Sequence, residues 1–92
     1  MISYIENLAR IVAATHHCSC RHIGAEYVRE VTEEMIWHGR VELFQLAGHS
    51  NASLAYGWGW MDGSDEMLYV AIANVPPVRS AADAVRQSLA NA

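Results

Sequence analysis

The sequence contains no lysine, and only two cysteines, two prolines and one phenylalanine. Its cations are six scattered arginines, and ten carboxylates outnumber them to give a formal net charge of −4. Binding to a nucleic-acid backbone needs a clustered basic surface, so this composition argues against a nucleic-acid partner. No apolar run approaches the roughly 20 residues that a membrane-spanning helix requires, which argues against a membrane partner as well.

The length of the chain limits its architecture. With 92 residues, of which 52% are hydrophobic and 17% charged, the chain is expected to fold as a single domain, residues 1–92. A domain of this size buries only about 60–65% of the surface of its unfolded chain. Dimerisation would therefore supply burial that the monomer lacks.

The two cysteines, Cys18 and Cys20, are separated by one residue. A disulfide across this spacing is strained, and reducing compartments keep thiols free. Met1 is not followed by the basic and apolar regions of a secretory signal peptide. We therefore expect a cytoplasmic protein with two reduced cysteines.

The most distinctive stretch is 54–60, in which large and very small residues alternate. A strand sends successive side chains to opposite faces. One face of this strand carries three aromatics and the other only alanine and glycine: Tyr56, Trp58 and Trp60 against Ala55, Gly57 and Gly59. The small residues suit a face that a helix approaches closely, which would leave the aromatic face open. If a helix covers the aromatic side instead, the same row is ordinary core.

The rest of the chain predicts a helix, four strands and a second helix, at 3–15, 22–31, 36–46, 54–60, 66–75 and 80–89. Ser3 with Glu6 and Ser80 with Asp83 have the spacing of helix-capping pairs, and 62–65 predicts a hairpin turn. Short connections favour antiparallel pairing, because parallel strands need crossovers of a dozen or more residues. We expect an α+β two-layer sandwich, a four-stranded antiparallel meander with both helices on one face (α-β-β-β-β-α).

Four segments carry recognisable motifs: His17-Cys18, Trp37 to His49, Tyr56 to Trp58, and Val75 to Val78. In this order they resemble a group of short, uncharacterised bacterial proteins with His-Gly-Cys, Gly-His-Pro, Tyr-x-Trp and Pro-Pro-Val elements. The chain departs from that pattern at Ser50, where the group has proline. The group has no established function, so the resemblance implies the architecture and no activity.

The segment 16–22 holds five potential metal ligands within seven residues. Zinc takes four nitrogen or sulfur ligands, usually as two pairs from separate parts of the chain. The second pair is absent here unless His38 or His49 folds over, and a polar helix end followed by a strand explains the segment equally well. A second hypothesis is therefore a metal-binding or redox protein, with zinc held by His17, Cys18, Cys20 and His22.

The leading hypothesis is a non-enzymatic interaction module that forms a homodimer or binds a protein partner. Its contact surface would be the aromatic sheet face, formed by Tyr56, Trp58 and Trp60 with Tyr69 from a neighbouring strand, since tryptophan and tyrosine are enriched among binding hot spots. A Cys–His nucleophile is possible in segment 16–22, but a domain this small offers little room for an active-site pocket, so we do not expect an enzyme. Size and charge alone suggest a third hypothesis, a small acidic inhibitor of a nucleic-acid-binding protein.

Overall fold

The computed structural model describes residues 3–61 and 63–91. The four strands form one open antiparallel sheet in the order β1-β2-β3-β4, preceded and followed by a helix. The predicted α+β class and the order α-β-β-β-β-α are therefore confirmed. Among the described residues, no helix has both the length and the apolar character needed to cross a membrane. The elements are α1 (Tyr4–His16), β1 (Ser19–Val31), β2 (Ile36–Ala47), β3 (Leu54–Met61), β4 (Met67–Ala73) and α2 (Ala81–Ala90).

Both helices begin at the predicted serines. The hydroxyl of Ser3 accepts a hydrogen bond from the Glu6 N–H at 3.1 Å, and that of Ser80 accepts one from the Asp83 N–H, also at 3.1 Å. Each bond satisfies an N–H of the first helical turn that has no partner within the helix. Of the predicted turn 62–65 between β3 and β4, Asp62 lies outside the described residues.

The two helices pack on opposite faces of the sheet. In α1, Leu8 and Val12 are fully buried in one cluster with Phe44, Leu46 and Ala55. We call this side of the sheet the α1 face. It is the side on which β3 carries its alanine and glycines.

The other face, which we call the α2 face, holds a separate cluster. Ala84 and Val85 of α2 pack there with Val41, Tyr56 and Trp58. Because Ala55 and Tyr56 are consecutive in a strand, their side chains point to opposite sides. The expectation that both helices share one face is therefore wrong, although the expectation that the small residues of β3 face a helix is right.

Side-chain size on β3 explains this arrangement. A Cβ added to Gly57 would lie 3.1 Å from Leu8, so the missing side chain lets α1 pack directly on the strand. On the α2 face, Tyr56 and Trp58 would leave a large apolar area in water if nothing covered them. Each face thus needs a helix of its own.

Two tryptophans on β3 test this assignment. Trp58 is 4% exposed and Trp60 is 44% exposed. We expect Trp58→Ala to lower the free energy of unfolding by about 3–5 kcal/mol, because it empties a packed site, and the matched change Trp60→Ala to lower it much less. Urea unfolding followed by circular dichroism measures both. Equal losses for the two variants would contradict the burial of Trp58 beneath α2.

Candidate interaction surface

The predicted aromatic face is mostly covered. Tyr56 and Trp58 are each 4% exposed, and the Trp58 ring meets that of Trp37 edge-on at a centroid distance of 5.6 Å. The expectation of an open face is therefore wrong at Tyr56 and Trp58, since α2 lies over them. Trp60 does remain at the surface. Tyr69 is on the α1 face instead, where its ring stacks on Tyr4 at 6.2 Å.

The four residues of the zinc hypothesis lie at the end of α1 and along the first part of β1. His17 ends α1 in the left-handed backbone region, with φ 53°. The Cys20 thiol donates to the Ala9 carbonyl at 3.2 Å, and Cys18 packs beside the α1 cluster. His22 is bonded to Glu42. In the part of the chain that the structure describes, no three His, Cys, Asp or Glu side chains are grouped to hold a metal ion.

The thiol environment also opposes redox or nucleophilic chemistry at Cys20. Burial raises the pKa of the Cys20 thiol, and neighbouring Cys18 acts in the same direction. A reactive cysteine needs the opposite, an environment that stabilises the thiolate. Cys20 instead serves as a partly buried apolar side chain of the α1 cluster.

The uncovered part of the sheet lies at the far end of the β1–β2 hairpin, on the α1 face. Cross-strand pairing sets Tyr27 opposite Arg40, Arg29 opposite His38 and Val31 opposite Ile36. These six residues share one face because each is two positions from the next along its strand. All six are exposed, since α1 packs further along the sheet. We call this surface the hairpin strip: Tyr27, Arg29 and Val31 with Ile36, His38 and Arg40.

The hairpin strip combines apolar and cationic side chains. Tyr27 is 76% exposed, Val31 57% and Ile36 55%. Between and beside them lie two arginines and a histidine, and the strip carries no carboxylate. Among the described residues, the side chains of Arg29 and His38 make no hydrogen bond or ion pair. The chain has a net charge of −4, so this surface is a local patch of positive charge on an acidic protein.

The strip ends at a buried ion-paired carboxylate. Glu42 is 2% exposed; its Oε1 is 2.8 Å from His22 Nε2, and its Oε2 accepts from Arg40 Nε at 2.6 Å. Hydrogen bonding to Glu42 raises the pKa of Arg40, and the attraction between the two charges adds to this. A buried carboxylate is tolerated when its oxygens are paired in this way. Glu42 thereby fixes the position of the Arg40 guanidinium at the border between covered and uncovered sheet.

Beside Arg40, strands β2 and β3 move apart. β2 pairs with β3 only from Glu42–Gly57 to Gln45–Leu54, so the two hairpins separate beyond that point. The N–H of Gly59, which has no partner on β2, donates to the Tyr4 hydroxyl at 2.7 Å. The resulting cleft, about 490 Å³, is lined by Tyr4, Arg40, Glu42 and Gly59 with Ile5. The hairpin strip therefore continues into a concave region.

A second cleft lies at the β4 edge, where the end of α1 meets the β2–β3 turn. His16 and His49 face each other there in a T-shaped contact, with ring centroids 6.1 Å apart. His49 Nδ1 accepts the N–H groups of Asn51 and Ala52, both at 3.0 Å, so this imidazole organises the turn. His16 Nε2 is buried without a hydrogen-bond partner among the described residues. These contacts make both histidines part of the structure of the turn.

Comparisons of this chain with known proteins do not indicate a function. No family model, curated protein or solved structure matches this chain. The resemblance to short bacterial proteins is therefore unsupported by these comparisons and stays a prediction, as does the inhibitor hypothesis.

Sequence reasoning overlooked the hairpin strip although part of its signal was visible. Tyr27 and Arg29 alternate with Val28 and Glu30, which predicts two different faces. The alternation could not show which of the two faces stays exposed. That depends on which part of the sheet α1 reaches, and a strand pattern does not contain that information. A bulge between His22 and Gly24 also shifts the register of β1.

The half-buried imidazole of His16 predicts how the free energy of unfolding depends on pH. Burial lowers the pKa of His16 below its ordinary value of 6.5, and the nearby His49 and His17 act in the same direction, while the nearby Ala71 backbone opposes the effect. The unfolded chain therefore binds a proton more readily than the folded one. The stabilisation is complete above a pH of about 6.5 and is lost as the pH falls through the lower, folded pKa.

The variant His16→Gln should accordingly have a flatter dependence of stability on pH below about 6.5 than the wild type. Urea unfolding at a series of pH values measures the slope. Thr15→Gln, an exposed neighbour in the same turn, is the matched control and should keep the wild-type slope. A wild-type slope in His16→Gln would show that another group controls acid unfolding.

Proposed function

We propose that this protein is a non-enzymatic interaction module that binds a protein partner with its hairpin strip. The observation that carries the proposal is the cross-strand set of Tyr27, Val31 and Ile36, which are 76%, 57% and 55% exposed on one uncovered sheet face. Contiguous exposed apolar surface on a small protein marks an interaction site. Tyrosine and arginine, both present in the strip, are enriched at binding hot spots.

The charge of the strip favours one kind of partner. Arg29, His38 and Arg40 surround the apolar side chains, and only Arg40 is paired with a carboxylate. A partner that presents apolar side chains flanked by carboxylates complements this pattern, because charge complementarity steers association and fixes orientation. A basic partner would meet like charges and is disfavoured.

The division of the sheet supports the same proposal. From Ile36 to Val41, β2 has no neighbouring strand on the side that faces β3 among residues 3–61 and 63–91, so backbone groups on that side lack ladder partners there. An extended segment can pair with such an edge while its side chains contact the neighbouring face. The hairpin strip and the cleft beside Arg40 are suited to a partner segment in extended form.

Peptide selection tests the proposal directly. Random peptides displayed on phage are panned against the immobilised protein, and the Kd of each selected peptide is measured by calorimetry. We expect the selected peptides to be rich in carboxylates. The double variant Val31→Ser/Ile36→Ser should raise their Kd at least about tenfold, because it removes the apolar centre of the strip.

The matched control is Trp60→Ser/Leu68→Ser, which changes another cross-strand pair of exposed apolar residues, 44% and 39% exposed, on the α2 face. This variant should bind the peptides as the wild type does. Peptides that retain their affinity for the strip variant and lose it for the control would place the interaction at Trp60 and contradict the proposal.

A further inference from the structure

The outer edge of β1 is a second surface that the packing leaves unused. β1 is the first strand in the sheet order and has 13 residues, yet of the strands that the structure describes it pairs with β2 alone. In the described chain, no backbone group of its central part forms a hydrogen bond outside the β1–β2 ladder. An edge of this length invites pairing with another strand unless something covers or interrupts it.

The bulge at His22 to Gly24 sets one limit of the usable edge. Beyond the bulge, the strand runs regularly from Gly24 to Val31. The charged residues of this segment are Glu26, Arg29 and Glu30, and the other five are apolar or small. The charge pattern therefore discriminates between possible registers of a self-pairing.

We propose that β1 pairs antiparallel with β1 of a second copy of this chain, about a twofold axis at Tyr27. In a twofold antiparallel pair, residues equally distant from the axis lie opposite each other on the same face. Like charges that lie directly opposite are destabilising. Each residue of the segment can therefore be tested as the position of the axis by asking which charges it places opposite each other.

A twofold axis at one of the neighbouring residues either brings like charges together or leaves only a short ladder. A centre at Glu26 or at Arg29 sets that residue against its own copy, and a centre at Val28 sets Glu26 against Glu30. A centre at Ala25 reaches the bulge after one residue on either side. Three of these four registers are disfavoured because like charges lie directly opposite each other, and the fourth because its ladder is short.

The centre at Tyr27 avoids both problems. It sets Gly24 opposite Glu30, Ala25 opposite Arg29 and Glu26 opposite Val28, with no like charges face to face. Each Tyr27 ring, 76% exposed in one chain, then lies beside its own copy and diagonal to the partner copy's arginine at position 29. Diagonal neighbours are within reach of aromatic and long side chains, and a guanidinium over a tyrosine ring is attractive.

The pairing would extend the sheet to eight strands and join two hairpin strips into one surface. It uses the edge of β1, whereas the proposed partner binding uses the face of the strip. Tyr27 and Arg29 take part in both, but the variants that test the two proposals change different residues, so each proposal has its own test.

Charge-swap variants at the axis provide that test. Tyr27→Glu and Tyr27→Lys each bring like charges together at the twofold axis, so each should raise the dimer Kd at least about tenfold. An equimolar mixture of the two should form a heterodimer, because Glu then faces Lys. When the Tyr27→Lys variant is uniformly labelled with ¹⁵N, native mass spectrometry separates the heterodimer from both homodimers by mass. Circular dichroism confirms that each variant is folded.

The control is Trp60→Glu, which adds the same charge at an exposed aromatic away from β1 and should dimerise as the wild type does. A wild-type protein that stays monomeric at millimolar concentration would overturn the pairing while leaving the peptide-binding test of the strip unaffected. A dimer that forms equally well in both Tyr27 variants, without preference for the mixture, would overturn the register centred on Tyr27.

Discussion

The unequal faces of β3 constrain the rest of this fold. One side of that strand has almost no side-chain volume, so Leu8 of α1 packs directly against Gly57. The other side has more aromatic surface than neighbouring strands alone can bury, and α2 covers Tyr56 and Trp58. Because the two requirements lie on opposite faces, neither helix can satisfy both. Each helix is committed to one side of a sheet that is longer than either contact area.

Because each helix packs on a different face, part of the sheet is left uncovered. α1 covers the ends of β1 and β2 that lie near Cys20 and Leu46, and α2 packs near Val28 on the other face. The far end of the first hairpin is thus covered on the α2 side only. The described residues contain no further helix with which to cover the hairpin strip, so the exposure of Tyr27 follows from the packing.

Glu42 marks the border between the covered and the bare sheet. Its carboxylate is buried, and His22 and Arg40 hold its two oxygens. A buried ion pair contributes little net stability compared with apolar packing, so its main structural effect is to fix geometry. It keeps Arg40 beside the point where β2 and β3 separate, and hence aligns the cationic strip with the cleft at Tyr4.

The sequence by itself determined the elements and their order. The capping serines, the turn signals and the period-two alternation are local properties, and they predict α-β-β-β-β-α because each depends on residues a few positions apart. Only the tertiary structure decided which face each helix covers, that His22 pairs with Glu42, and that Tyr27 rather than Trp58 is exposed. Alternation separates the two faces of a strand but cannot say which will meet water, since that depends on where helices distant in sequence pack.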